Sequence, residues 1–351
     1  MRIGLVLPPD RDRRWELAAQ VGTEAAVIHS LEIGDGRPLY RKRDLERIDR
    51  ELSAAGLDFA VVEGGVPVTD ATRLDGPGRD AEVERFKRLL RNAGAVGVEA
   101  VCYDWMAGRR WARTRVDVPA RGGSLVTEFR EEDLEERVDL DISRERLWAN
   151  LESFLEEVVP VAETAGVRLG LHPDDPPIES VGGVPRIATS VENYRRVLDL
   201  YDSPYNGVTL CQGNFVAMGA DVPAVIREFG ERDRIAFVHF RDVEGSAGSF
   251  RETWHDAGPT DPGACVDAYR DVDFDGVARP DHVPTMAGED NSNPGYHTQG
   301  RLFAVGYMRG LMDRRGGRVE DDRRSVSAAT RAGTDAEPAR EATGGDTATD
   351  D

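Results

Sequence analysis

Eight short runs rich in β-branched and apolar residues recur along the chain, and helical periods separate them. The runs are Arg2–Leu7, Ala25–Ser30, Leu57–Glu63, Val98–Tyr103, Val167–His172, Gly207–Cys211, Ile235–Phe240 and Gly276–Pro280. Arg43–Ala55 sets Leu45, Ile48 and Leu52 at helical steps, and Ala81–Ala93 does the same with Val83, Phe86 and Leu90. Leu147–Glu163 carries Leu151, Phe154 and Val158, and Pro160 is expected to bend or break it. Ser190 reads as the N-cap of Val191–Tyr201. Asp221 reads as another N-cap, with Pro223 in the first turn and Gly230 just past the end. Strands that alternate with helices pair in parallel, because each crossover needs a helix. Eight is the closure number of the α/β (β/α)8 TIM-type barrel, and an open doubly wound sheet is the alternative. No glycine-rich dinucleotide or P-loop motif follows the first strand.

The barrel is expected to fill residues 1–316 as one catalytic domain. From Gly317 to Asp351 the chain has almost no large apolar residues, which predicts a disordered acidic tail. The whole chain of 351 residues carries a net charge of -20, which argues against nucleic acid and against anionic membrane surfaces. No run is long and apolar enough for a membrane span or a signal peptide. Lysine occurs only at Lys42 and Lys87. An acidic, lysine-poor surface suits a halophilic host. Three cysteines, Cys102, Cys211 and Cys265, make no disulfide framework, so a reducing cytoplasm is expected.

The last four strands end in metal-ligand residue types. They deliver His172, Cys211, His239 and Asp281, which lie 39, 28 and 42 residues apart. These are βα-repeat spacings, so each side chain reaches the same rim of a barrel, where catalytic groups gather. Two neutral imidazoles, a thiolate and a carboxylate carry two negative charges. A divalent transition metal would bring them near neutrality and let an anionic substrate approach. Alone, Cys211 reads as a small buried hydrophobe, each histidine as a core residue and Asp281 as a helix cap. Four at equivalent strand ends favour the metal, structural or catalytic. Asp174, Asp175, Gln212, Asn214, Arg241, Asp242 and His282 surround them in sequence, which favours a catalytic site. Cys102 is expected in the core and Cys265 in a connection. His29 and His255 read as solvent-exposed with an outside chance of substrate contact. Trp105 and Trp111 could wall the mouth, and Tyr296 follows Pro-Gly where a phenol could swing over the site.

The stretches VCYDWM, HPDDPP, TLC, VHFRDV, RPDH and PGY occur in order between about Leu57 and Leu311. Together they resemble the metal-dependent mannonate dehydratases of hexuronate catabolism. The resemblance implies a TIM-type barrel with a Mn²⁺ site, Fe²⁺ or another divalent transition metal being the alternative. It implies conversion of D-mannonate to 2-keto-3-deoxy-D-gluconate plus water. It puts the metal ligands on His172, Cys211, His239 and Asp281 and the acid/base pair on His282 and Tyr296. Surrounding residues depart from the family's usual ones at Arg110–Arg115, Gln212–Asn214, Arg251 and Val283–Pro284.

Dehydration removes the C2 proton and expels the C3 hydroxyl. A metal on the carboxylate and a neighbouring hydroxyl would stabilise the developing charge. Arg241, Arg279 and Asn214 are the expected substrate contacts. The expected partner is a small anionic sugar acid, and a homo-oligomer is compatible with the sequence. A sugar isomerase or epimerase on the same barrel is one alternative, and a non-catalytic sugar-acid-binding relative is another.

Overall fold

The computed structural model describes residues 1–29, 38, 40–135 and 137–316. The tail expected at 317–351 and the strand end expected at Ser30 lie outside them. Contacts divide the chain into Met1–Arg309 and Gly310–Asp351. The barrel lies within the first of these.

Its strands are β1 (Arg2–Leu7), β2 (Ala25–His29), β3 (Asp58–Glu63), β4 (Ala100–Asp104), β5 (Arg168–His172), β6 (Asn206–Cys211), β7 (Ile235–Phe240) and β8 (Val277–Pro280). Each pairs in parallel with its sequence neighbours, and β8 returns to β1, closing the cylinder. Small and branched side chains such as Ala25, Val27, Ala60, Ala100 and Val277 fill its interior together with Phe237. Register aligns the carboxyl ends: His29 stands opposite Glu63, Asp104 opposite His172, Cys211 opposite His239, and His239 opposite Arg279.

The helices that cross between strands follow the sequence periods. Lys42–Ala54 buries Leu45, Ile48 and Leu52, and Arg79–Gly94 buries Val83, Phe86, Leu89 and Leu90. Ser190 caps Val191–Leu200 by accepting from Asn193 N at 3.1 Å. Asp221 caps Val222–Glu231 by accepting from Ala224 N at 3.1 Å.

Two expected helix features differ. Arg144–Ala165 runs through Pro160 unbroken, because Val158, Val159 and Ala162 keep burying its apolar face. Gly230 lies inside its helix rather than past the end, where a Cβ would come within 2.4 Å of Val272 Cγ2. That glycine serves close packing, not a stop.

A four-stranded antiparallel sheet adds to the barrel and was not expected. Its order is Val243–Ser246, Ser249–Glu252, Leu125–Arg130 and Arg115–Pro119. Phe129, Val243 and Phe250 from it pack on Ala112, Ile178, Val181 and Ala217. This sheet carries Glu252 to the barrel mouth. None of the described helices is long and apolar enough to cross a membrane.

Candidate active site and metal centre

The ends of β5, β6 and β7 bring His172, Cys211 and His239 together, with their donor atoms all within 4.8 Å of one another. His172 Nε2 lies 3.1 Å from His239 Nδ1. Asp281, just after β8, places Oδ2 at 3.5 Å from His239 Nδ1 and 3.9 Å from Cys211 Sγ. The four expected donors therefore meet, three tightly and Asp281 against two of them.

The partners of these donors test whether a cation fits. His172 Nδ1 lies 2.7 Å from the Pro173 carbonyl, so its proton belongs there and Nε2 is left bare. Glu63 Oε1 lies 3.2 Å from His239 Nε2, which favours the proton on that nitrogen and leaves Nδ1 bare. Two bare lone pairs 3.1 Å apart repel unless something positive sits between them. Burial and Arg279 oppose a charged His239, yet Glu63 and Asp281 outweigh them and raise its pKa well above the usual value. Either a proton or a metal supplies that charge. Burial opposes ionisation of Cys211, but Arg241 and the two imidazoles bring the thiol down to about 5. Burial likewise opposes an ionised Asp281, and Arg279 with the nearby histidines holds it well below the usual carboxylate range. The set is ready-made for a divalent transition metal.

Beside this cluster His282 and Tyr296 form a pair, with His282 Nε2 at 2.7 Å from the phenol oxygen. His282 has a φ of 43°, a left-handed conformation uncommon outside glycine and asparagine. The bond from Val283 N to Gly295 O at 2.8 Å ties this bend to the loop that carries Tyr296. Glu252 Oε1 holds His282 Nδ1 at 2.8 Å. Burial would raise Glu252, but Arg241, His282 and Arg113 bring it down to about 2. Burial and Asp281 push the Tyr296 phenol above its ordinary value.

A cavity of about 320 Å³ is lined by His172, His239, Arg279, Asp281, His282 and Tyr296, together with His29, Glu63, Arg110 and Trp111. Arg279 lies in its wall but is bound to Glu63 through Nε at 2.7 Å and to Asp281 through Nη1 at 2.6 Å. Arg241 and Asn214, expected to touch substrate, do not line it. Arg241 is buried behind the donors. It gives Nε to Cys211 Sγ at 3.1 Å, Nη1 to Glu252 at 2.6 Å and Nη2 to Asp175 at 2.9 Å and to Asn214. Asn214 in turn donates to the Asp174 carbonyl at 2.9 Å. Both are consumed by protein partners.

Among the remaining candidates, Trp111 walls the cavity whereas Trp105 packs in the core, with Nε1 on the Leu147 carbonyl at 3.2 Å. His255 is buried and stacked on Phe240 rather than exposed. Cys265 is buried in the helix Pro262–Asp271. Cys102 is buried as expected but also lines the cavity.

Sequence reasoning missed Glu63, Arg113 and Glu252. Glu63 ends β3, as His172 ends β5, so the strand-end signal could have found it. A Glu63→Gln variant is expected to weaken divalent-metal affinity by about 10- to 100-fold, because the carboxylate no longer orients His239. Competition with a chelator measures this, and unchanged affinity would detach Glu63 from the metal centre.

The sequence profile of the D-mannonate dehydratase (UxuA) family matches residues 16–140 and 134–317. A mannonate dehydratase of Streptococcus suis is 34% identical over 330 residues, covering 85% of this chain and 89% of the relative. The crystal structure of the mannonate dehydratase from Streptococcus suis serotype 2 superposes with a TM-score of 0.81 at 33% identity, over 90% of this chain and 94% of that one. A D-psicose 3-epimerase from Clostridium cellulolyticum reaches a TM-score of 0.58 at 15% identity, over 89% of this chain and 99% of that one, which shows a shared barrel and no more. The chain belongs to the D-mannonate dehydratase family.

Proposed function

We propose that the chain is a metal-dependent hydro-lyase that converts D-mannonate to 2-keto-3-deoxy-D-gluconate and water. The observation that carries this is the 2.7 Å His282–Tyr296 pair, which lines the same cavity as His172, His239 and Asp281. A divalent ion held by His172, Cys211, His239 and Asp281 would supply Lewis acidity toward substrate oxygens. Mn²⁺ is the ion we assign, with Fe²⁺ as the alternative.

Roles for the pair follow from its hydrogen bonds. Glu252 accepts a hydrogen bond from the Nδ1–H of His282, so Nε2 presents a lone pair. The buried phenol keeps its proton. His282 therefore takes the C2 proton, and Tyr296 donates to the departing C3 oxygen, which leaves as water. The proton on Nε2 then returns across the 2.7 Å contact to the phenolate, which restores both groups. The enol product tautomerises to the 2-keto-3-deoxy acid.

A panel of aldonic acids with protein loaded separately with Mn²⁺, Fe²⁺ and Zn²⁺, under reducing conditions, tests the reading. The expected result is a 2-keto-3-deoxy acid from D-mannonate, fastest with Mn²⁺. Release of an isomeric sugar without loss of water would replace the dehydratase with an isomerase.

A further inference from the structure

The metal cavity adjoins a second, of about 400 Å³, and His29, Trp111, Arg279 and Tyr296 line both. Their walls differ in charge. Glu63, Asp104, Asp175 and Asp281 line the first. Among the described residues no carboxylate lines the second, whose charged wall residues include Arg14, Arg279 and Arg301. In a chain of net charge -20, a pocket whose described charged residues are arginines is a local inversion.

Two of these arginines are already neutralised. Arg279 is bound to Glu63 and Asp281, and Arg14 pairs with Asp12 at 2.6 Å. Arg301 is only 7% exposed, yet among the described residues its one hydrogen bond runs from Nη1 to the Val6 carbonyl at 3.3 Å. Its guanidinium carbon lies 5.7 Å from the centre of the Tyr296 ring. Among the described residues no carboxylate pairs with it. Arginine does not shed its proton near neutrality, so a buried one without a counter-charge is costly until an anion arrives.

We propose that Arg301 anchors the carboxylate of the sugar-acid substrate from this second cavity; the proposal rests on the dehydratase reading above. A planar guanidinium grips a planar carboxylate through two parallel hydrogen bonds. Arg301, the acid/base pair taken as a unit, and the metal donors then follow one another as the carboxylate, the C2–C3 bond and the remaining hydroxyls do along an aldonic acid. Arg301 abuts Tyr296, Tyr296 contacts His282 at 2.7 Å, and His282 Nε2 lies 3.8 Å from Asp281 Oδ1. A carboxylate on Arg301 sets C2 and C3 along the acid/base pair and turns the hydroxyls toward the metal donors. This reverses the expectation from sequence that the metal takes the carboxylate. Arg301 also supplies a fixed cation for charge that builds on the carboxylate when the C2 proton leaves. Burial and the nearby Arg279 lower its guanidinium to about 10, consistent with a cation that lacks a partner.

The test is calorimetric titration of D-mannonate and of neutral D-mannonamide into wild type, Arg301→Gln and Arg301→Lys. Each protein is measured with Mn²⁺ and after chelation, and turnover is followed in parallel. Wild type is expected to prefer acid over amide in both forms. Arg301→Gln should weaken mannonate binding about thirtyfold and mannonamide binding less than about threefold, with KM rising more than kcat falls. Arg301→Lys should recover part of the preference. If Arg301→Gln does not fold, Arg301→Lys carries the test, with the acid preference expected to drop at least about fivefold because the fork is lost. An unchanged preference in the folded variant overturns the proposal, and so does its disappearance from wild type on chelation alone. Arg301-dependent acid binding without any keto-acid product would leave the anchor standing and remove the dehydratase reading.

Discussion

Replacing His282 by Asn lowers turnover of the sugar acid by at least about a hundredfold while the metal stays bound. Asparagine tolerates the left-handed φ of 43° at this position, so the loop keeps its path. It offers no basic nitrogen where Nε2 meets the Tyr296 hydroxyl, so the acceptor of the C2 proton is gone. The tyrosine also loses the group that restores its proton. A Tyr296→Phe variant should fall by a similar factor. The double variant should fall little further than the worse single one, because the two groups act as one relay. Steady-state rates with metal content measured on the same samples decide this. A loss under about tenfold in metal-replete His282→Asn would take the imidazole out of the proton transfer. The histidine makes none of the closest donor contacts, so metal content separates a lost base from a lost cation.

The barrel was legible because its signal is local. Each of the eight strands is a short apolar run between turn residues, and each falls within about two residues of its expected span. The antiparallel sheet at the mouth was not legible. In Arg115–Pro119 only Val118 is buried, so no alternation marks it as a strand. The sheet's two local hairpins join across more than a hundred residues, as Ser249 pairs with Arg130, and no short window contains that pairing. Pro160 and Gly230 show propensity yielding to packing.

The site divides along the same line. Donors at strand ends could be read from repeat spacing alone. The network behind them could not, since Arg113, Asp175, Arg241 and Glu252 come from three separate segments and converge only in the folded barrel. Arg241 follows a ligand strand and so resembled a substrate contact. Its side chain instead turns inward onto Cys211, Asp175, Glu252 and Asp281.

An Arg241→Met variant is expected to destabilise the metal-free protein by about 3–5 kcal/mol. The guanidinium is fully buried and is shared by Cys211, Asp175, Glu252 and Asp281 at 2.6–3.3 Å. Methionine fills similar space but leaves four ionised groups short of their cation. Two readouts follow. Thiolate absorbance should show the Cys211 pKa climbing from about 5 toward the ordinary thiol range. Acid unfolding should begin at a higher pH. Glu252 is held down to about 2 from 4.5, so its contribution is complete above 4.5 and is lost as pH falls toward 2. Without Arg241 its folded pKa moves up, and that window narrows. Added divalent metal should restore part of the lost stability, because a cation among the donors compensates Cys211 and Asp281. It does little for Asp175 and Glu252, which remain bound to Arg113 alone among the buried arginines. A variant within about 1 kcal/mol of wild type would mean that Arg113 alone suffices and that the network is redundant. Full rescue by metal would place the whole role of Arg241 at the thiolate.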